Sequence, residues 1–359
     1  MKKRVVVWGT GNVGRPALRA VLAHPELELV GVVVSNPAKL GLDAGEIAGV
    51  APTGIRATTD GAALLAAGGV DTVAYTATAD GRPMEAFGDL FSCLQAGVDV
   101  VSTSFYPLLY PPAMPVALRP LVAEACARSG SSVFVSGVDP GWAMDVLPIV
   151  LSGMVAGIRE VRCQEIMNYA SYDQPLVVRS VIGFGGPMDE MPRMLQDEAL
   201  RMVWEPMVRL IGEGLGYPVE HVDTVVQRRP LARAIDVPGM GHFEAGTQGA
   251  FRFEVRGFCG GVARYVIEHV TRIDDDCAPD WPSPPEGRGC HRVMITGSPT
   301  LNVTLHCEDA HAPGPAGGGN ATAANRIINL IPAVFDAPAG VLTALDLPPL
   351  RSRPAPVAT

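Results

Sequence analysis

No two of the seven cysteines stand in C-x-x-C spacing; positions 93, 126, 163, 259, 277, 290 and 307 are odd in number and scattered along 359 residues. The pattern speaks against a disulfide framework and a cysteine metal site, and predicts reduced, mostly buried thiols. No other metal site is expected. Histidines 242, 269 and 291 show no pairing in the sequence, and Asp274 to Asp276 reads as a solvated loop without a second ligand cluster. Positive charge is also scarce, with 28 Lys and Arg against 37 Asp and Glu and a net charge of −9. A nucleic-acid or anionic-lipid partner needs a concentrated cationic surface, so neither is expected.

Long apolar runs are missing too. The longest, around Ala143 to Ile158, holds Asp145 and Pro148 and falls short of the roughly 20 residues of a membrane span. The charged start Met1-Lys2-Lys3-Arg4 leads into Val5 to Trp8, which breaks at Gly9, so it reads as a strand rather than a leader. A cytoplasmic location with no membrane partner is the expectation. What is present is a 48% apolar, 18% charged chain with 40 Gly and 32 Pro. That describes a compact protein with tight loops, and the length favours two domains over one.

From the start, short β-branched runs (Arg4 to Trp8, Leu29 to Val34, Val70 to Thr76, Val98 to Thr103, Ser132 to Ser136) alternate with stretches of helical period (Val13 to Ala23, Gly61 to Ala67, Met84 to Gln95, Val116 to Arg128). The fold class is therefore α/β, a Rossmann doubly wound parallel sheet, over residues 1–140. After Pro140 the rhythm changes. A helix led by Pro140-Gly141 and running to about Met154 is expected, with Asp139 either its N-cap or a cleft carboxylate. A strand from Glu160 to Asn168 and a helix from Glu198 to Gly212 follow. Strands at Ala250 to Gly257, Ala263 to Arg272, His291 to Thr296 and Leu301 to Cys307 complete an α+β domain, 141–319, with a mostly antiparallel sheet. One face of that sheet would rest on its own helices and the other would meet a second copy, a homodimer. Ala312 to Gly319 reads as a linker, a helix from Ala321 to Phe335 would return with residues 320–350 to the first domain, and the tail from Arg351 reads as disordered.

The central motif is Gly9-Thr10-Gly11-Asn12-Val13-Gly14, a G-x-G-x-x-G set between an apolar strand and an amphipathic helix. Gly9 would make the tight turn, Gly11 would admit a pyrophosphate to the backbone, and Gly14 would let helix and strand pack closely. The helix start adds free N–H groups for the phosphates. The acid that grips the NAD ribose about 20 residues onward is missing. In its place stand Ser35, Asn36 and Lys39, which accept a 2′-phosphate without demanding one, so the cofactor is read as NADP, or NAD; the plainer alternative is a solvated Lys39. Ala77, Thr78, Ser102 and Thr103 close later strands where a dinucleotide lies. Asn168, Tyr169, Tyr172 and Asp173 leave a strand as a dense polar group able to move protons if their pKa values shift, or simply a polar turn.

In this order, Trp8 to Gly14, Gly137-Val138-Asp139-Pro140-Gly141 and Glu165 through Asp173 resemble the native NAD(P)-dependent amine dehydrogenases. That family is related to 2,4-diaminopentanoate dehydrogenase and has an N-terminal domain like that of dihydrodipicolinate reductase. The likeness spans most of the chain, including the helix Ala321 to Pro332. It implies hydride transfer between nicotinamide and a small, largely apolar ketone, imine or amine, and it places Asp139, Trp142, Asn168, Tyr169 and Tyr172 around the substrate. Members that reductively aminate ketones carry a Glu where this chain reads Ser104-Phe105-Tyr106-Pro107-Leu108-Leu109-Tyr110-Pro111. Without it, Asp139, Asp173 or Tyr106 would take over its proton handling. The candidate catalytic residues are thus Asp139, Tyr169, Tyr172, Asp173 and Tyr106, with Trp142, Asn168 and Phe105 in the substrate pocket. Two rivals stand beside this reading. One is a non-catalytic NAD(P)-binding sensor or scaffold; the other, ranked last, is an acylating dehydrogenase that would need a cleft cysteine.

Overall fold

The computed structural model describes residues 1–79, 81–172, 174–348 and 352. The chain forms two compact units, Met1–Trp142 with the segment from Asn320 onward, and Ala143–Gly319. Among the described residues, no helix is long and apolar enough to cross a membrane.

The first unit is built on β1 (Lys3–Trp8), β2 (Leu27–Val33), β3 (Ala57–Thr58), β4 (Thr72–Tyr75), β5 (Asp99–Ser102) and β6 (Ser132–Val135), with Gly340–Leu342 pairing beyond β6. Their order across the sheet is β3-β2-β1-β4-β5-β6, and every pairing is parallel. This is the doubly wound order, with its reversal between β1 and β4. Val5, Val6 and Val7 are completely buried, as expected where helices cover both sheet faces. Helix α1 (Gly14–Ala23) turns Ala17, Leu18 and Val21 inward at helical spacing. It is followed by α2 (Ala44–Ala48), α3 (Gly61–Ala66), α4 (Pro83–Gln95) and α5 (Leu118–Ser129). The helix Pro315–Asp336 adds Ala324, Ile327, Ile328, Ile331 and Val334 to the core that contains Val5 and Val7.

The second unit contains α6 (Val146–Ser152), β7 (Ala156–Asn168), α7 (Asp197–Gly214), β8 (His221–Pro230), the hairpin β9 (Ile235–Val237) and β10 (Gly241–Phe243), then β11 (Gln248–Cys259), β12 (Val262–Arg272), β13 (Gly289–Ser298) and β14 (Leu301–Leu305). Six strands form one mixed sheet, β14-β13-β7-β12-β11-β8. Only the β7–β12 pair is parallel; the others are antiparallel. Alternation sends Phe253, Tyr265, Ile267 and His269 to the face that α7 covers through Trp204. The opposite face carries Arg162, Glu254, Glu268 and Arg252, joined to one another by ion pairs.

Three expectations need correction. No helix is led by Pro140: Asp139 (φ −148°, ψ 114°) and Pro140 (ψ 137°) are extended, and Gly141 (φ 143°, ψ −136°) is far from helical. The helix starts at Val146, and its N-cap is Asp145, not Asp139. The expected linker is helical from Pro315 onward. The edge strand β8 and the β9–β10 hairpin were not foreseen, because His221–Pro230 mixes polar and apolar residues with no clean alternation. Asp173 and the tail from Arg351, apart from Ser352, lie outside the described residues.

Candidate active site

In the first unit the glycine loop is clamped between strand ends. Gly9 N donates to Val33 O at 2.9 Å, and Thr76 Oγ1 donates to Gly9 O at 3.0 Å. Gly9 has φ +103°, and a Cβ there would lie 2.4 Å from Ala77 N; one on Gly14 would lie 2.1 Å from Gly9 O. Both positions are closed to side chains by packing. Gly11 differs: it is exposed, and among the described residues nothing lies within 4 Å of where its Cβ would be. The loop therefore leaves open space at the one glycine that a pyrophosphate must approach, directly before α1, whose Val13 N-cap makes no side-chain cap. The residues fit a dinucleotide.

Beyond β2, Ser35 and Asn36 are exposed, and Asn36 Oδ1 accepts from Ala38 N at 2.9 Å, capping a short 3-10 turn. Lys39 leans back over the loop, donating from Nζ to Thr10 O at 2.7 Å and to Thr10 Oγ1 at 3.2 Å. Partial burial and the nearby Arg15 cation hold its pKa below the usual lysine value. Thus the strand end expected to hold the adenosine ribose offers the neutral Ser35 and Asn36 and the Lys39 cation, with the Arg15 cation of α1 nearby.

The ends of β4 and β5 meet beside the loop. Ser102 Oγ donates to Tyr75 O at 2.9 Å, Ser104 N donates to Ser102 Oγ at 2.9 Å, and Ser104 Oγ donates to Ala77 O. Thr78 is exposed and Thr103 half-buried. Phe105 follows in a left-handed conformation (φ 64°, ψ 62°), which a bulky residue adopts only under external constraint. Its ring packs against that of Phe87, 5.2 Å away, and the 3-10 turn Tyr106–Leu108 follows. After β6, Ser136 Oγ accepts from the buried Arg326 guanidinium at 3.3 Å, and Asp139 and Trp142 are half-buried.

In the second unit, Asn168 ends β7, with Oδ1 accepting from Ala170 N at 2.8 Å and Nδ2 donating to Asp275 at 2.6 Å. Tyr169 and Tyr172 stack with centroids 4.9 Å apart. The Tyr169 hydroxyl donates to Glu165 Oε1 at 3.0 Å. Glu165 was not singled out as a candidate, and His269 and His291 showed no pairing in the sequence. The register aligns all three: Phe253, His269, Glu165 and His291 lie in one row across β11, β12, β7 and β13. His269 Nδ1 is 3.4 Å from one carboxylate oxygen and His291 Nε2 is 3.5 Å from the other. Burial pushes the Glu165 carboxyl up, but the His269 and His291 imidazoles outweigh it and hold its pKa well below the usual carboxylate range. The signal available in the sequence was phase: each of these polar residues occupies a position where its strand otherwise points apolar residues inward.

A doubly wound sheet with an open glycine loop, joined in one chain to a mixed sheet that buries a carboxylate between histidines, is the construction of a nicotinamide-dinucleotide-dependent oxidoreductase. Comparison with known proteins narrows this class. Residues 3–103 match the family model of the dihydrodipicolinate reductase N-terminus, and residues 142–355 match that of the 2,4-diaminopentanoate dehydrogenase C-terminal domain. An amine dehydrogenase of Streptomyces virginiae is 47% identical over 96% of this chain and 95% of its own. The 2,4-diaminopentanoate dehydrogenase of Acetoanaerobium sticklandii is 22% identical over 98% of this chain and 95% of its own. An amine dehydrogenase structure from Mycobacterium smegmatis shares the fold, with a TM-score of 0.75 at 21% identity, over 99% of this chain and 98% of that one. The chain belongs to the family of amine dehydrogenases and 2,4-diaminopentanoate dehydrogenases. It is an NAD(P)-dependent oxidoreductase, and the sensor or scaffold alternative finds no support among these relatives.

Proposed function

We propose that the protein interconverts a small, largely apolar amine with its ketone, through the imine, using NADP. The observation that carries the amine reading is the 47% identity over 96% of the chain to an amine dehydrogenase. Bound nicotinamide supplies the hydride acceptor or donor; the chain supplies binding and proton handling. Gly9, Thr10, Gly11, Asn12, Val13 and Gly14 would hold the pyrophosphate. Ser35, Asn36 and Lys39 would hold the adenosine ribose, and Ala77, Thr78, Ser102 and Thr103 the remaining ribose. NADP is favoured over NAD because Lys39 and Arg15 supply positive charge where no acid competes for the ribose hydroxyls.

Phe105, Tyr106, Asp139 and Trp142 in the first unit, and Asn168, Tyr169 and Tyr172 in the second, are assigned to substrate binding and proton transfer. Asp173 carries the same assignment from its place in the sequence. The protein is further read as a cytoplasmic homodimer that pairs through the charged face of the second sheet. The test is nucleotide oxidation across a panel of ketones, with and without ammonium. The expected result is ammonium-dependent turnover that prefers NADPH to NADH. Nucleotide binding with no ammonium dependence on any ketone would overturn the amine reading.

A further inference from the structure

The geometry points to the cluster of Glu165 with His269 and His291, reached through the Tyr169 hydroxyl, as the place where the proton exchanged with the substrate nitrogen is held during turnover. This rests on the oxidoreductase reading above and deepens it.

A carboxylate in this position is costly unless compensated. Its neighbours along the same face of β7 are Val161, Cys163 and Met167, so an apolar residue would fit the packing. Instead, three neighbouring strands each place one titratable side chain in a single row, which packing alone does not call for. The row is also held rigidly. The His269 ring stacks on Phe253 at 4.5 Å and 13°, and Trp204 of α7 meets its edge at 4.8 Å and 67°. These contacts keep Nδ1 turned toward Glu165. On the other side, Tyr169 is half-buried, and Gln174 Nε2 donates to the Tyr172 hydroxyl, so the hydroxyl side of the cluster is the polar and partly accessible one.

One carboxylate and two imidazoles sharing a single proton are neutral, and taking up a second proton costs only one net charge. Such a set shares its protons as a unit rather than residue by residue. The reaction needs that capacity. Oxidation of a protonated amine to its ketone moves a hydride to the nicotinamide, exchanges nitrogen for the oxygen of one water, and releases ammonium. One proton is left over. In the reverse direction the same proton must be supplied. The titratable groups facing Glu165 within its unit are His269 on β12, His291 on β13, and Tyr169 after β7; the Cys290 thiol on β13 also feels its charge. α7 and β11 contribute the Trp204 and Phe253 rings. His291 acts through Glu165 and is a positioning residue.

Glu165→Gln keeps the shape and an acceptor for Tyr169 but abolishes the charge. In the full-length protein it is expected to lower kcat for amine oxidation about 100-fold or more, to flatten the pH profile of kcat, and to leave NADPH affinity within about twofold. Histidine NMR of the same variant should show the His269 and His291 ring signals displaced from their wild-type positions, since their anionic neighbour is gone. Tyr169→Phe, at the accessible end, should cut kcat about tenfold with KM little changed, and it serves as the second variant if Glu165→Gln fails to fold. Unchanged kcat and pH profile in either folded variant, with only the melting temperature altered, would overturn the proposal and make the cluster structural. Wild-type protein that reduces ketones without ammonium dependence would sink the amine reading alone. The cluster is then judged by the same variants on that ketone reduction and by the histidine NMR signals, and unaffected rates there would count against it.

Discussion

The three glycines of one hexapeptide answer to different constraints, and substitution separates them. Gly11→Asp adds bulk and negative charge where the free protein has open space. Stability should change by no more than about 0.5 kcal/mol, as for an exposed site. NADPH affinity should fall at least about 100-fold, roughly 3 kcal/mol; unchanged affinity in a fluorescence titration would refute the glycine assignment. Gly14→Ala is the converse, because its Cβ would strike Gly9 O. It should cost about 1–3 kcal/mol of stability through forced displacement, visible in thermal melts without any nucleotide. A third residue reports on pH. Asp99 at the start of β5 accepts from Ser132 N at 2.7 Å, yet burial pushes its carboxyl up to about 6. The folded protein thus binds this proton more tightly than the unfolded chain does. The resulting stabilisation is fully present below about pH 4, declines between about pH 4 and 6, and is gone above that. Asp99→Asn should therefore be neutral near pH 4 and stabilising near pH 7.5 by at most about 3 kcal/mol. Equal effects at both pH values would contradict the assignment.

At the scale of elements, legibility followed burial pattern. The strands of the first unit were readable because central parallel strands are continuous apolar runs, as at Val5 to Val7, and their helices because Ala17, Leu18 and Val21 repeat with helical period. The glycine loop was readable because its context fixed its meaning. What escaped was whatever depends on register. Glu165, His269 and His291 lie more than a hundred residues apart at their extremes, and only the parallel β7–β12 pairing with antiparallel β13 brings them into one row. The helix expected at Pro140 failed for a local reason: Pro suits a first helical turn, but Gly141 at φ 143° cannot continue one. The row itself depends on α7, whose Trp204 is 6% exposed and packs against both Phe253 and His269. Trp204→Ala should cost about 3–5 kcal/mol in denaturant unfolding. A loss under about 1 kcal/mol would mean that α7 does not hold the row in place.

For the whole molecule, the sheet face opposite α7 bears on the proposed homodimer. Arg162 reaches Glu254 at 2.7 Å, Arg252 reaches Glu268 at 2.7 Å, and Arg256 reaches Asp223 at 2.7 Å. Each cation thus already has a carboxylate in its own chain, so a second copy would meet a face whose charges are locally cancelled. Association would then draw on the half-buried apolar side chains between the pairs, Val225 and Met294. Electrostatic pairing across the interface would weaken as salt shortens the screening length to about 3 Å at 1 M, whereas apolar burial would not. Sedimentation is therefore expected to give twice the mass of one chain in both low and high salt. Met294→Asp, which places an unpaired carboxylate in the middle of that face, should shift the mass toward a single chain without loss of folded signal. A dimer that dissolves in salt would move the driving force to the charged pairs, and single chains at every concentration would end the homodimer reading.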